Sequence, residues 1–519
     1  MAMTRKEFLA LSGKAALVPL CGTRLGVFAF LDEPAGFAAD VLDSPTLKKI
    51  HAYIDAHIDA HVGKIQEFLR QPSVSSWNLG IQDCAEMLLG YFKALGCQEA
   101  NLVPTDGNPG VWAWYDAGAK KTTSRYFMYD TQPFNKEEWS SPPLAANRVP
   151  MEPFPSVIIA RGAINSKGPL RAFLNALEAI IAVTGRLPVN IMFTCDGEEE
   201  QGSPHFHQVL EPYRDKLKTA NAHLNPGPAQ NREGQVSMVL GNKGIAYVEL
   251  ESSGKRWGRG PQKMPIHSSR KAILESPVWR LVEALNSMYD QRSNRILIDG
   301  YYDKIVPPTE EEEMLVATLI ERFKDRAFAS ERENVRAWMR DWSDEEAIRH
   351  LLFDTTLNID GIWGGYTGPG VATILPEKAA CKLDSRLVPN QGVKEQEGLI
   401  RQHLDRHGFS DIEMRSLAGG DEWSRTSVKE PVVQAVLSVY QKYGIEPAIW
   451  PRSAGSSPQA QYTRPPLKLP AVSGGLGHGS RAHAVDEYFV IDGNDKVAGL
   501  ADCEKSMVDI LYAYAHWPE

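Results

Sequence analysis

Three observations predict an α/β protein: a discontinuous domain with a mostly parallel central sheet, and a smaller α+β domain inserted into it. Short apolar, β-branched runs alternate with helix-period segments on both flanks of the 519-residue chain, a pattern that fits strands buried between helices. The character changes near Ala246, where a half-exposed strand pattern begins. It changes back near Arg425, so that the flanks together complete one sheet domain.

Taken in order, Arg125 to Tyr129 reads as a short strand. Leu170, Phe173, Leu174, Leu177, Ile180 and Ile181 recur on one helical face, and the run from Val189 to Cys195 follows as a buried strand. Within the insertion, Tyr247 to Glu251 alternates like a strand with one wet face. Ser276-Pro277 supplies a helix N-cap and a first-turn proline ahead of Val278, Leu281, Val282, Leu285 and Met288. The charged stretch from Glu310 to His350 reads as a solvated helical face within the insertion. A Gly-rich strand pair at 361–389 and a helix at 393–407 complete that domain. The C-terminal flank opens with Val432, Val433, Val436, Val439, Tyr440 and Tyr443 at helical spacing, continues with a strand at 468–473, and ends in a helix at 497–514. The expected domains are therefore 41–245 with 426–519, and 246–425.

Lys+Arg 56 against Asp+Glu 65 gives a net charge of −9, which offers no general attraction to phosphate backbones and argues against nucleic acid as a partner. The six cysteines are scattered, without C-x-x-C pairs or zinc-finger spacing. No apolar run is long enough for a transmembrane helix. Thr4-Arg5-Lys6-Glu7-Phe8-Leu9, the apolar stretch Ala10 to Leu20 and the small residues at 36–39 resemble a twin-arginine export signal in which Lys6 stands for the second arginine. Residues 1–40 are accordingly expected to be an export signal and the protein periplasmic. An amphipathic N-terminal helix on a cytoplasmic protein is the alternative. Pro19-Leu20 is a poor approach to a lipidated Cys21.

The chemistry concentrates in Glu198-Glu199-Glu200, which follows directly on the buried strand. Carboxyl ends of strands in an α/β sheet are where ligand sites collect. Around that triplet stand Tyr129-Asp130-Thr131-Gln132-Pro133, Glu137 to Pro143, Arg161-Gly162-Ala163-Ile164-Asn165-Ser166-Lys167-Gly168-Pro169 and Asp196 to Ser203. Later come His267-Ser268, Gly361 to Gly370, Arg386-Leu387-Val388-Pro389 and His483-Ala484-Val485-Asp486-Glu487. In order and spacing, from about Leu47 to Ala515, these segments resemble the dizinc peptidases of the aminoacylase, carnosinase and desuccinylase type.

That resemblance implies a catalytic domain with an inserted lid and dimerisation domain, and a site whose parts can be checked one by one. Glu199 matches the general base and Glu200 a ligand of the second metal, with His483 as the last histidine ligand. Asp130 matches the carboxylate that orients a zinc-binding histidine, but Met128 stands where that histidine belongs. Asn165 replaces the bridging aspartate, and Asn225 stands where a further acidic ligand is expected. The first metal thus loses every usual ligand, since a thioether and two amides bring no charge to a divalent ion. On the lid, His267 matches a residue that polarises the substrate carbonyl in the partner subunit's site. Arg386 and Asn358 match residues holding the substrate carboxylate and carbonyl, and Gly455-Ser456 matches the loop that closes over the carboxylate.

Three functional readings remain open. One is a hydrolase of a dipeptide or N-acyl amino acid running on a single, weakly held zinc at Glu200 and His483. The second is a metal-independent enzyme with Glu199 as acid and base, in which crowded carboxylates raise one another's pKa. The third is a non-catalytic binder of peptides or acylated amino acids. All three expect a small ligand with a free carboxylate, a homodimer, no transmembrane segment, and at most one zinc ion or none.

Overall fold

The computed structural model describes residues 26–34, 36–323, 335–417 and 420–518. The chain divides into two compact units. The larger holds Phe30–Ile245, Pro308–Asp354 and Ala418–Glu519; the smaller holds Ala246–Pro307 and Thr355–Leu417, with the few described residues before Phe30.

A six-stranded sheet organises the larger unit. Its strands are β1 (Glu99–Val103), β2 (Gly110–Tyr115), β3 (Thr122–Met128), β4 (Asn190–Asp196), β5 (Ala222–Pro226) and β6 (Ala471–Gly474), in the order β1-β2-β4-β3-β5-β6. The β4–β3, β3–β5 and β5–β6 pairs are parallel, and the two pairs at the β1 edge are antiparallel. Every residue of β4 is buried, as in parallel strands covered on both faces. Five helices pack around the sheet: α1 (Pro45–Arg70), α2 (Ile81–Leu95), α3 (Lys167–Thr184), α4 (Pro431–Lys442) and α5 (Leu500–His516). Local chemistry sets their ends: the Ser44 hydroxyl accepts the Leu47 N–H with Pro45 in the first turn, and α3 stops at Gly185 with φ of 79°. A second, antiparallel sheet joins Gly479–Ser480, Tyr488–Asp492, Phe154–Ile159 and Asn147–Met151. Its 481–487 turn carries His483 and Glu487.

Two expected boundaries differ from this organisation. The described residues of 308–354, a stretch read from sequence as part of the insertion, pack with the larger unit. The helices Glu310–Phe323 and Asp344–Phe353 bury Val316, Ile348 and Leu352 beside Trp450, and Glu312 forms a buried ion pair with Arg452. The four consecutive glutamates hid this, because one of them faces inward. Breaking a buried pair by removing one partner costs roughly 3–5 kcal/mol, so Glu312→Gln is expected to lose about 3 kcal/mol in urea unfolding. A loss below about 1 kcal/mol would show the pair to be effectively solvated.

The second boundary concerns the expected leader at 1–40. Residues 1–25, Cys21 among them, lie outside the described residues. Phe37, however, stacks edge-on against Trp517 at 4.7 Å, and Gln434 bonds the backbone of both Phe30 and Asp32. Phe30, Asp32 and Phe37 are thus packed into the larger unit. Among the described residues no helix is long and apolar enough to cross a membrane.

The smaller unit is a four-stranded sheet of Asn358–Gly364, Lys378–Leu387, Gly244–Ser253 and Glu413–Ser416. Helices Pro277–Met288 and Val393–Arg406 supply Leu281, Met288, Ile400 and Leu404 to a core shared with Val248, Leu250 and Leu383. Asn358–Gly364 is an edge strand, and almost all of it is exposed.

Candidate active site

The parallel strands β4, β3 and β5 are neighbours, so their carboxyl ends bring together residues far apart in sequence: Glu198 to Glu200 after β4, Met128 and Asp130 at the end of β3, and Asn225 on β5. Strands β3 and β5 pair only through Thr123↔Ala222 and Ser124↔His223. Beyond that point Asn225 takes the Tyr126 N–H on its own Oδ1 at 3.4 Å. This opens the sheet at the end where α/β proteins bind ligands.

Asp130 is fully buried, and its carboxylate accepts the backbone N–H groups of Glu199 and Glu200, each at 3.1 Å. It therefore positions the acidic turn. With Met128 in place of a histidine it has no ring to orient. Burial pushes its carboxyl well above the usual range. Glu200 is held on three sides: Gln132 Nε2 at 2.9 Å, Asn165 Nδ2 at 2.7 Å and His483 Nε2 at 3.0 Å. Asn165 Nδ2 also lies 2.9 Å from His483 Nε2. Glu487 holds this corner by accepting the N–H groups of Gly162, Ile164 and Asn165 and pairing with Arg161 at 2.7 Å.

Glu199 lines a cavity of about 370 Å³. Burial, then Glu200, Asp196 and Asp421, push its carboxyl up to about 7. Asp196 and Asp421 are themselves pushed up to about 6, chiefly by burial. The rest of the lining is uncharged: the polar Asn225, Asn242, Ser453 and Gln459 alternate with the apolar Ala229, Val239 and Pro458, with Tyr126 and His223 at the sheet. Sequence reading missed His223, Tyr126 and Asp421, because none lies in a legible motif. Of the 455–456 loop, the neighbours Ser453 and Ser457 line the cavity, and Ser453 Oγ donates to the Gly455 carbonyl at 3.1 Å. Cys195 is fully buried and its thiol is pushed far up by desolvation, as suits a core residue rather than a nucleophile.

In the smaller unit Asn358 sits opposite Asp384 in the register of adjacent strands, two residues from Arg386. Arg386 Nε pairs with Asp384 at 3.2 Å, and Asn358 donates to Asp360 at 2.9 Å. His267 is exposed, its Nδ1 2.8 Å from Ser269 Oγ and its Nε2 3.0 Å from Thr373 Oγ1.

The side chains at the implied first metal position do not fit a divalent cation. Asn225 gives its amide oxygen to the buried Arg125 guanidinium, Asn165 turns its nitrogen toward Glu200 and His483, and Met128 offers a thioether. Glu200 and His483 alone fall short of the usual three protein ligands. Among the described residues no three His, Cys, Asp or Glu side chains gather as a metal cluster.

The family model described as Peptidase family M20/M25/M40 matches residues 128–509, and the chain belongs to that family. Its fold, an α/β domain with a mixed, mostly parallel sheet and a second smaller unit, is that of the family's two-domain dipeptidases. The crystal structure of the M20 family metallo-carboxypeptidase Sso-CP2 from Sulfolobus solfataricus is similar, with a TM-score of 0.76 and 32% identity, covering 88% of this chain and 99% of that one. The Beta-Ala-His dipeptidase of Homo sapiens is 26% identical over 82% of this chain and 86% of its own length. The Cys-Gly metallodipeptidase DUG1 of Saccharomyces cerevisiae is 24% identical over 77% and 81%.

Proposed function

We propose that the protein is an amide-bond hydrolase of the dipeptidase type, acting on a dipeptide or N-acyl amino acid, with Glu199 as its acid and base and no zinc at the position of Met128, Asn165 and Asn225. The observation that carries this reading is Glu199 itself, which faces a cavity with its carboxyl near 7, where one group can both take and return a proton at neutral pH. Glu199 takes a proton from water as the water oxygen attacks the amide carbon. It then delivers that proton to the leaving nitrogen, giving a carboxylic acid and an amine. The dipeptidase names of the relatives support this substrate class.

The test is hydrolysis of β-Ala-His and of Cys-Gly by the purified chain, before and after chelation, with metal content measured by mass spectrometry. We expect turnover with no more than one zinc ion per chain. Turnover that survives chelation assigns the metal-independent form, which the Arg125–Asn225 and Asn165–Glu200 bonds favour. Loss on chelation and recovery with one equivalent of zinc assigns the ion to Glu200 and His483. Two tightly held ions, or binding without turnover, would overturn the proposal.

Dimerisation through the smaller unit belongs to the same reading. The edge strand Asn358–Gly364 leaves Ile359, Ile362 and Trp363 exposed, and an unpaired apolar edge is a template for pairing with a second copy. Light scattering at micromolar concentration is expected to give a dimer that Ile362→Lys dissociates. A monomeric parent chain with full activity would contradict a role for His267 across subunits.

A further inference from the structure

The position where the resemblance places an acidic zinc ligand is wired instead to a buried cation. Arg125 Nη1 donates to Asn225 Oδ1 at 2.6 Å, and its Nη2 donates to the Pro226 carbonyl at 3.1 Å. No carboxylate among the described residues pairs with this guanidinium, which rests against Phe127 and Phe173. Burial pulls it down to about 9, which leaves it charged at neutral pH.

Two donors on one side, the guanidinium and the Tyr126 N–H, fix which end of the Asn225 amide is oxygen. Its nitrogen must then face His223 Nε2, 2.8 Å away. His223 therefore accepts at Nε2 and carries its proton on Nδ1, 2.8 Å from Ser124 Oγ. Its buried ring is stacked on Tyr462 at 3.8 Å. Both contacts of Asn225 are thus rigid, and one amide hydrogen remains for the cavity that Asn225 and Glu199 both line. No cationic side chain lines that cavity among the described residues. A charged donor behind an amide polarises its outward N–H, and a fixed donor facing developing charge costs no reorganisation during reaction. The same guanidinium repels a divalent ion from this end of the sheet.

We propose that Asn225 is the hydrogen-bond donor to the carbonyl oxygen of the scissile amide, with Arg125 and His223 as positioning residues, in place of the first metal. The inference rests on the amide-hydrolase reading above and adds the group that meets the oxygen as negative charge develops on it.

Calorimetry in chelator, on the full chain carrying Glu199→Gln so that nothing turns over, tests it with two probes. One is β-Ala-His; the other is its phosphinic analogue, whose tetrahedral anionic centre replaces the scissile carbonyl. Asn225→Ala is expected to weaken the phosphinic probe by roughly ten- to hundred-fold and the dipeptide only a few-fold, the range of a hydrogen bond to a charged group. Arg125→Met should shift the same ratio by about ten-fold, since the amide then loses its cation. Equal losses for both probes, or none, would overturn the inference while leaving the hydrolase reading standing. Failure of the parent to bind either probe would overturn both.

Should these variants not fold, zinc titration supplies a second arm. Met128→His, Asn165→Asp and Asn225→Asp together are expected to raise zinc affinity less than about ten-fold while Arg125 neutralises the new carboxylate. Adding Arg125→Met should raise it at least a further ten-fold. Tight zinc binding by the triple variant with Arg125 in place would refute the assignment.

Discussion

Glu199→Gln is expected to lower dipeptide hydrolysis by roughly 10²–10⁴-fold, the usual contribution of a positioned acid or base, without unfolding the chain. The amide is nearly isosteric and the rest of the cavity lining is uncharged, so binding should change little. A stability measurement separates loss of chemistry from loss of structure. The folded-state carboxyl is raised from 4.5 to about 7, so ionising it opposes folding progressively as the pH climbs through that interval. The variant lacks this penalty. In chelator it should be at least as stable as the parent at about pH 8, and this advantage should shrink as the pH falls and vanish below about pH 4. Unchanged turnover would remove Glu199 from the mechanism and overturn its assignment as acid and base.

Glu487→Ala is expected to be among the most destabilising single changes in the larger unit, at about 3–5 kcal/mol. The residue is fully buried. Its carboxylate satisfies three backbone N–H groups of the 162–165 loop as well as Arg161, which is itself only 3% exposed. Removing it leaves a buried guanidinium unpaired and three donors without an acceptor, losses that do not recover in water because water cannot reach them. Glu487→Gln keeps an acceptor for the loop but not the charge, so it should fall between parent and alanine variant. Urea unfolding checks the order. A cost below about 1 kcal/mol for the alanine variant would mean that the loop finds other partners. Activity should fall with either substitution, because the same loop carries Asn165 against Glu200 and His483.

Sequence periodicity alone located the strands that end at Met128 and Asp196, each to within a residue or so of its end, the helices Pro277–Met288, Val393–Arg406 and Pro431–Lys442, and the change of character at Ala246. These are segments whose apolar spacing matches one face of a regular element, and a face is a local property. The motifs likewise singled out Glu199, Glu200, Asp130, Asn165 and His483, which the larger unit gathers at one end of its sheets. The antiparallel sheet of Phe154–Ile159 and Tyr488–Asp492 was not legible, since its partners lie more than 300 residues apart and neither announces the other. Nor was the placement of 308–354, because a run of four glutamates does not reveal that Glu312 turns inward to a buried arginine. The role of Asn225 is the sharpest instance. Sequence identified it as a neutral residue in a ligand position, a statement about charge lost. Only the splaying of β3 from β5 brings Arg125 onto its oxygen and His223 onto its nitrogen, and hydrogen-bond direction, unlike composition, exists only once both partners are fixed in space.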